Sequence, residues 1–240
     1  MGRDMARLLG QRGYDLLLVA RRTDRLEELA NALPLSNVRI FGVDLADETA
    51  CMQLCEQLAQ ERIDILINNA GFGLFGPFLQ TDLSRELEMM DVNIRAVHIF
   101  TKAFLPQMVR RDTGYILNVA SSAAFLPGPL LSGYYATKAY VLHLTEAIYE
   151  ELRQQGSHVH ISALCPGPVR TEFDQVAHVQ FSLKGMESET VARYALKKLW
   201  RGKRVIIPGF TMKCAHLFQK VLPSAWLLPI TYRFQRRKQG

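Results

Sequence analysis

Short runs of apolar residues alternate along the chain with longer segments in which apolar residues recur every three or four positions. The short runs are rich in Val, Ile and Leu, which is typical of strands buried on both faces, and they lie at 15–20, 38–43, 64–68, 115–119, 159–164 and 204–207. The amphipathic segments predict helices at 4–12, 23–33, 47–60, 82–109, 134–155 and 188–201. This alternation predicts an α/β fold, a doubly wound parallel sheet with helices on both faces.

Capping residues mark the expected ends of several helices. Thr23 or Asp24, Asp47, and Ser132 or Gly133 stand where an N-cap is expected. Gly156 stands at the expected end of the helix 134–155, because glycine adopts the left-handed conformation that closes helices. The sheet and its helices therefore occupy residues 1–209, which we interpret as one domain, followed by an extension at 210–240.

Charge is distributed unevenly between these two parts. Residues 190–240 hold 12 of the 29 Lys and Arg residues and none of the 23 Asp and Glu residues, so 1–189 is net acidic. The basic balance of the whole chain belongs to its C-terminal part, and a nucleic-acid-binding function for the domain loses its support. With no run of 18 apolar residues and no signal peptide, the sequence predicts a cytoplasmic protein.

The extension is basic and amphipathic. Its apolar residues include Leu217, Phe218, Val221, Leu222 and the segment WLLPITYRF, and they are flanked by Lys213, Lys220, Arg236, Arg237 and Lys238. Such a segment suits the surface of an anionic membrane, at the inner face of the cell. A helix packed on its own domain or on a second subunit explains the same pattern.

Cysteine and histidine residues indicate neither disulfides nor a metal. The four cysteines form no CxxC pair, and none of the six histidines has metal-ligand spacing. We expect reduced thiols and no metal ion.

Three residues within 114–138 suit acid–base chemistry at one carbonyl. Ser121 stands at the exit of the strand 115–119, and Tyr134 and Lys138 are four residues apart on the following helix, hence on one face. A phenol ionises near pH ~10, and an ammonium group one turn away favours the phenolate, so Lys138 is expected to lower the pKa of Tyr134. Tyr134 would then exchange the alcohol proton while Ser121 hydrogen-bonds the carbonyl oxygen. Tyr135 is interpreted as a packing residue.

Residues at the carboxyl ends of other strands suggest a nucleotide site. Arg21 and Arg22 stand where an acidic residue would select a ribose 2′-hydroxyl, and guanidinium groups suit a 2′-phosphate, which favours NADP(H). A solvated basic turn is the alternative. Asp44 and the segment 69–71 likewise end strands at the edge of the sheet where open α/β folds bind ligands, although short residues there are also common in turns. The glycines of GFGLFG at 71–76 fit a dinucleotide-binding motif, but Pro77 and a loop follow where that motif needs a helix, so we reject it.

Five motifs in order resemble those of the short-chain dehydrogenase/reductase family, over nearly the whole length up to about Pro208. They are NNAG at 68–71, Asn93 in DVNIRA, Ser121, the YxxxK pair Tyr134 and Lys138, and PGPVRT at 166–171. The resemblance implies a Rossmann-like three-layer αβα fold and an NAD(P)-dependent oxidoreductase. It also implies a homodimer or homotetramer associated through the helices at 82–109 and 134–155.

The resemblance assigns further roles. Asn93 would anchor a water-linked proton relay to Lys138, which also holds the nicotinamide ribose. Asp44 and Leu45 would flank the adenine, and Asn69 would lie near the adenosine ribose with Ala70 and Gly71 beside it. Val169 and Thr171 would meet the carboxamide. Gly2, Pro166 and Gly167 would be further cofactor-binding positions.

The chain departs from the family at its start. The family opens with a strand and a TGxxxGxG loop, of which Gly2 would be the last glycine. On this resemblance we expect the domain to lack its first strand, which in the family lies between the strands at 15–20 and 64–68. We also expect Met1 to be an internal methionine, with the strand and two glycines encoded upstream.

These observations predict an NADPH-dependent reductase of a ketone, such as a 3-oxoacyl thioester or another lipophilic carbonyl. The alternatives are an NAD(P)-dependent secondary alcohol dehydrogenase and a non-catalytic, cofactor-binding or membrane-associated scaffold. The segment 173–186, with Phe173, Val176, Val179 and Phe181, suits a lid over an apolar substrate or an ordinary surface loop.

Overall fold

The strands and helices alternate as predicted in the structure, a computed structural model that describes residues 1–171, 185–219 and 222–236. The helices are α1 Gly2–Gly10, α2 Thr23–Asn31, α3 Glu48–Gln57, α4 Leu83–Met90, α5 Val97–Arg111, α6 Ser132–Gln154, α7 Ser188–Leu199, α8 Phe210–Gln219 and α9 Ser224–Arg236. The strands are β1 Leu16–Ala20, β2 Val38–Gly42, β3 Ile65–Asn68, β4 Tyr115–Val119, β5 His160–Leu164, β6 Val169–Arg170, β7 Met186–Glu187 and β8 Val205–Ile206. Most of the proposed lid, 173–184, lies outside the described residues.

All strand pairs are parallel among the described residues, which confirms the predicted fold class. β3, β4, β5 and β8 form a four-stranded sheet in that order, and Leu117 of β4 pairs with Ile67 and Ser162. Side chains alternate across this sheet. Leu117 packs in one cluster with Met5 of α1 and Leu196 of α7, whereas Ile116 packs in another with Met108 of α5. Helices therefore cover both faces.

A wide cleft separates this sheet from a two-stranded sheet made of β1 and β2. Within the described residues, β1 pairs with β2 and β3 pairs with β4, and no strand lies between β1 and β3. The cleft has a volume of about 2400 Å³ and is lined by both facing strands, among other elements. The strands predicted at 15–20 and 64–68 thus belong to two separate sheets.

Two of the three predicted N-caps are wrong by at least one residue. Asp47 caps α3 as predicted, with its Oδ1 atom accepting a hydrogen bond from Ala50 N at 3.0 Å. α2 and α6 instead begin at Thr23 and Ser132, after Arg22 and Leu131, without a side-chain cap. The Tyr135 amide donates to Leu131 O at 3.0 Å, so the helical hydrogen bonding starts before Ser132 can act as a cap.

The predicted helix 82–109 is interrupted by a π-helical turn. Asp82 caps α4 through Arg85 N at 2.9 Å, and residues Asp91–Ala96 then form the π-helical turn that leads into α5. Such turns are frequent at functional sites, because one extra residue per turn redirects a side chain. This turn carries Asn93.

The extension forms the two helices α8 and α9. Among the described residues, no helix combines the length and the apolar character that crossing a bilayer requires. α8 packs against the 3-10 turn Ser122–Phe125, where the rings of His216 and Phe125 have centroids 3.9 Å apart. The extension therefore contacts the part of the domain that follows Ser121.

Candidate active site

Ser121, Tyr134 and Lys138 meet at the carboxyl end of β4. Ser121 caps the 3-10 turn through Ala123 N at 3.1 Å, and its side chain is hydrogen-bonded to that of Tyr134. The Lys138 ammonium donates to Val119 O at 2.9 Å and lies 5.9 Å from the centre of the Tyr134 ring. The spacing of these residues was sufficient to predict that they come together.

Their pKa values differ from the expectation. Burial raises the pKa of Tyr134 to about 12, although the hydrogen bond with Ser121 opposes this shift. Burial also lowers the pKa of Lys138 to about 8, because the interior disfavours the ammonium ion. The predicted lowering of the Tyr134 pKa by Lys138 is therefore wrong for this structure, because burial is the main cause of the shift and the only opposing contribution is the hydrogen bond with Ser121.

Asn93 is completely buried behind the loop after β3. Its Nδ2 atom donates to Phe72 O at 2.9 Å and to Thr137 Oγ1 at 3.0 Å, and its Oδ1 atom accepts from Phe72 N at 3.0 Å. Thr137 in turn donates to Tyr134 O at 2.7 Å. Asn93 thus fastens the loop to the first turns of α6. The sequence analysis missed Thr137, whose polar side chain on the inner face of α6 was the available signal.

Gly71 lies between Asn93 and Lys138. A β-carbon on Gly71 would lie 2.7 Å from Asn93 Oδ1 and 3.1 Å from Lys138 Nζ. Both distances are shorter than ordinary contacts, so the chain can pass here only without a side chain. The amide oxygen and the ammonium group therefore both lie against the backbone at Gly71.

A buried row of amides and hydroxyls lies beneath the site. Asn68 Nδ2 donates to Thr101 Oγ1 at 3.1 Å and to Asn118 Oδ1 at 2.8 Å, and Asn118 Nδ2 donates to Thr145 Oγ1 at 3.0 Å. The row connects β3 and β4 with α5 and α6. Because buried polar groups are costly unless paired, it fixes the relative positions of these elements.

Nine of the predicted cofactor residues line the cleft. Those that do so are Gly2, Arg21, Arg22, Asp44, Leu45, Asn69, Ala70, Gly71 and Thr171. Gly2 opens α1 beside Asn69, where a β-carbon on Gly2 would lie 2.6 Å from Asn69 Nδ2. Arg21 Nη1 lies 3.3 Å from Glu88 Oε1 and 3.8 Å from Asp44 Oδ2, so two carboxylates already surround this guanidinium group.

A smaller pocket of about 230 Å³ adjoins the cleft and contains the three catalytic candidates. Asn69, Gly71 and Thr171 line both cavities. The pocket is also lined by Ala123, Leu131, Ser121, Tyr134, Tyr135, Lys138, Pro166, Gly167, Val169, Met212 and Phe234. Met212 and Phe234 belong to the extension, far along the chain from the catalytic motifs, and no local sequence signal pointed to them. In the part of the chain that the structure describes, no group of acidic, His and Cys side chains could hold a metal ion.

The short chain dehydrogenase family model matches residues 1–180. The chain belongs to the short chain dehydrogenase family. It is 35% identical to an uncharacterized oxidoreductase of Staphylococcus saprophyticus over 72% of this chain and 71% of that protein. It is 31% identical to the human very-long-chain 3-oxoacyl-CoA reductase over 82% of this chain and 64% of that protein.

Solved structures agree with this family membership. A short-chain dehydrogenase from Sphingobium yanoikuyae in complex with NADPH has a TM-score of 0.82 and 30% identity, covering 93% of this chain and 92% of that chain. This short-chain dehydrogenase is thus a Rossmann-like α/β oxidoreductase that acts on a carbonyl or an alcohol.

Proposed function

We propose that this short-chain dehydrogenase is an NADPH-dependent reductase of lipophilic ketones, with Tyr134 as the proton donor. The observation that carries the proposal is the hydrogen-bonded pair Ser121 and Tyr134, which lines the pocket beside Lys138. Oxidation of a secondary alcohol is the reverse of the same reaction. A non-catalytic scaffold is disfavoured because a scaffold has no need for these three polar groups in one pocket.

The residues present fit a nicotinamide cofactor. Gly71 supplies a close approach that a β-carbon would fill, beside Asn69 and Lys138. The N-terminus of α1 at Gly2 lines the cleft, and the free backbone N–H groups of a helix N-terminus suit a pyrophosphate. Lys138 would hold the nicotinamide ribose and the segment 166–171 the carboxamide, while Asp44 and Leu45 would flank the adenine. The cofactor supplies the hydride.

The side chains of the pocket would handle the substrate oxygen. Ser121 positions the carbonyl oxygen by donating a hydrogen bond, and Tyr134 gives its phenolic proton to that oxygen as charge develops there. The raised pKa of Tyr134 keeps the phenol protonated, as a proton donor must be. The ammonium of Lys138 stabilises the resulting phenolate, and Asn93 holds the loop that places Gly71 next to Lys138.

The preference for NADP(H) is supported by Arg21 and Arg22 at the carboxyl end of β1. Both are exposed at the cleft, where a 2′-phosphate would meet them. Glu88 and Asp44 compete with a phosphate for Arg21, so the preference depends on displacing these carboxylates. The relative from Sphingobium yanoikuyae was solved with NADPH, which agrees with this choice.

A lipophilic substrate is supported by the apolar side of the pocket. Ala123, Leu131, Met212 and Phe234 face the same space as Tyr134. The relatives named very-long-chain 3-oxoacyl-CoA reductase suggest a 3-oxoacyl thioester as one such carbonyl.

The test is the consumption of NADPH with a ketone by the wild type and by Tyr134→Phe. We expect Tyr134→Phe to lower kcat by ~100-fold or more, the usual contribution of a positioned acid, with NADPH affinity unchanged. Tyr140→Phe is the matched control on the same helix, because its hydroxyl contacts His98 away from the pocket. Near-normal turnover in Tyr134→Phe would refute the mechanism.

We further propose that the extension contacts an anionic membrane at the cytoplasmic face. In α8 and α9, Phe210, Leu217, Phe218, Trp226 and Ile230 each expose at least 60% of their surface, and no acidic residue follows position 190. Four free cysteines agree with a reducing compartment. Vesicles with phosphatidylglycerol should co-sediment with the protein at low salt, and phosphatidylcholine vesicles should not. If the double variant Trp226→Glu/Ile230→Glu binds the anionic vesicles as well as the wild type does, the proposed membrane contact is contradicted.

A homodimer or homotetramer through the helices 82–109 and 134–155 is also proposed. Leu83, Leu87 and Met90 repeat at helical spacing on α4 and are exposed, as is Tyr140 on α6. Sedimentation velocity should show an assembly that Leu87→Glu dissociates, and a wild-type monomer would contradict the proposal.

A further inference from the structure

The extension closes one side of the active-site pocket. Met212 of α8 packs so near Gly167 that a β-carbon there would lie 2.8 Å from its sulfur, and Phe234 of α9 lines the pocket. Both helices thus stand next to Tyr134, although they lie far from it in the sequence.

Gln235 ties α9 to the catalytic helix. Its side chain is 1% exposed, and its Nε2 atom donates a hydrogen bond to the Tyr135 hydroxyl. A completely buried Gln on an otherwise exposed terminal helix is unusual, since this residue type is mostly exposed. The contact places α9 next to the residue that follows Tyr134.

Tyr135 connects α9 with the residues that form the wall of the pocket. Its ring lies against Gly128, where any β-carbon would collide with it, and edge-on to the Tyr134 ring at 6.2 Å between centroids. Tyr135 therefore fills the space between α9, the loop before α6 and the catalytic tyrosine. Moving α9 would move this wall.

The pocket beneath α9 is small. Its volume of about 230 Å³ is below the ~300–1,000 Å³ of common ligand sites. The size of the substrate that the pocket accepts therefore depends on the positions of the Phe234 and Met212 side chains.

We propose that α9 is the outer wall of the substrate pocket, where Phe234 contacts an apolar arm of the carbonyl substrate and Gln235 is the positioning residue that holds Phe234 there through Tyr135. This inference rests on the proposed reductase function. It assigns substrate selection to a helix of the extension. The group selected is a short apolar chain next to the carbonyl.

Gln235 also offers a way to separate positioning from folding. Its Oε1 atom is buried without a hydrogen-bond partner in the described residues, so the amide is only half satisfied. Gln235→Leu leaves the Tyr135 hydroxyl unpaired and Tyr135→Phe leaves the amide unpaired, whereas the double variant removes both polar groups. Replacing both partners with apolar groups of similar shape is often nearly neutral.

The experiment compares KM and kcat for 2-butanone and 2-decanone. Phe234 is 38% exposed, so a substrate chain would cover apolar area that the ring now presents to solvent. We expect Phe234→Ala to raise KM for 2-decanone by about 10-fold, with KM for 2-butanone nearly unchanged. Gln235→Leu and Tyr135→Phe should each raise KM for 2-decanone, and the double variant should restore it. Tyr232→Ala is the matched aromatic control on α9, because Tyr232 is 43% exposed and is not among the described residues that line the pocket.

Two outcomes would overturn the inference. One is an equal change for both ketones in Phe234→Ala, and the other is a double variant no better than its parents. Binding of 2-decanone to the NADPH-loaded protein, measured by saturation-transfer NMR, needs no turnover. If the wild type reduces neither ketone, the proposed function fails. Weaker binding of 2-decanone by Phe234→Ala and Gln235→Leu would still support the assignment of α9 as the pocket wall, and unchanged binding would refute it.

Discussion

Gly71 passes so close to Asn93 that a β-carbon at position 71 would lie 2.7 Å from the Asn93 Oδ1 atom. The same β-carbon would lie 3.1 Å from Lys138 Nζ. Neither side chain can move away easily, because Asn93 makes three hydrogen bonds of 2.9–3.0 Å and Lys138 is buried. We expect Gly71→Ala to separate these groups, reducing kcat/KM by ~10-fold or more and lowering the melting temperature by a few degrees.

Gly133→Ala is the matched control for this substitution. A β-carbon at position 133 would meet only the terminal methyl of Met89 at 3.0 Å, and that flexible end can shift. Gly133 lies in the first turn of α6, where alanine is favoured over glycine. The control should keep its activity and its melting temperature. Equal losses in both variants would show that close approach at Gly71 is not the cause.

Cofactor choice should depend on Arg21 and its carboxylate neighbours. Replacing Arg21 and Arg22 with Ala should raise KM for NADPH by ~10-fold or more, since a charge-assisted contact contributes ~1.5–3 kcal/mol, and leave KM for NADH nearly unchanged. Glu88→Gln should have the opposite effect, because it removes the carboxylate 3.3 Å from Arg21. Steady-state kinetics with both cofactors decide the matter, with Arg153→Ala at the far end of α6 as the control. Parallel changes for NADPH and NADH would refute the assignment.

Deprotonation of Lys138 should make cofactor binding and the stability of the fold change in opposite directions as the pH rises. The folded pKa of about 8 lies below the ordinary 10.5, so between these values the folded protein has released a proton that the unfolded chain retains. The contribution of Lys138 to stability should therefore rise with pH over this range. Cofactor binding should fall above pH ~8 if Lys138 holds the ribose as proposed, because the ammonium is lost there.

The measurements are kcat/KM for NADPH and urea unfolding, each against pH, in the wild type and Lys138→Met. The buried thiol of Cys165, whose pKa burial raises to about 12, titrates in an overlapping range. Only the difference between the two proteins therefore isolates Lys138. A difference in stability that stays constant between pH 7 and 10 would contradict the proposed titration.

Local patterns were sufficient to predict most of the fold. Continuous Val, Ile and Leu runs predicted the strands of the central sheet, and Asp47 predicted the start of α3. The catalytic candidates were predictable because a four-residue spacing on a helix fixes two side chains on one face, as it does for Tyr134 and Lys138.

The remaining features depend on contacts that no local pattern encodes. The π-helical turn places Asn93 in hydrogen bonds with the loop after β3 and with α6, and the apolar pattern of 82–109 alone does not reveal it. The pKa of Tyr134 follows from its burial, which the sequence spacing does not reveal. Gln235 reaches the pocket from the end of the chain, so its contact with Tyr135 became visible only in the folded structure.

The facing edges of β1 and β3 lead to the last prediction. Within the described residues these edges bind no other strand, and the cleft between them is walled by apolar side chains that include Leu9, Phe100 and Phe104. An extended apolar segment would meet backbone partners on both sides and apolar surface above and below.

We therefore expect a five-residue Val/Ile segment, fused through a short Gly-rich linker to the N-terminus, to raise the melting temperature. Each hydrogen bond formed contributes about 1 kcal/mol net, and 1 kcal/mol shifts the melting temperature of a protein of this size by ~2–4 °C, so several bonds should raise it by ~5 °C or more. The control is the same segment with proline at its centre, because proline has no N–H to donate and is excluded from central strands. Differential scanning calorimetry distinguishes the two proteins. An equal melting temperature for both fusions would show that the cleft between the two sheets does not accept a strand.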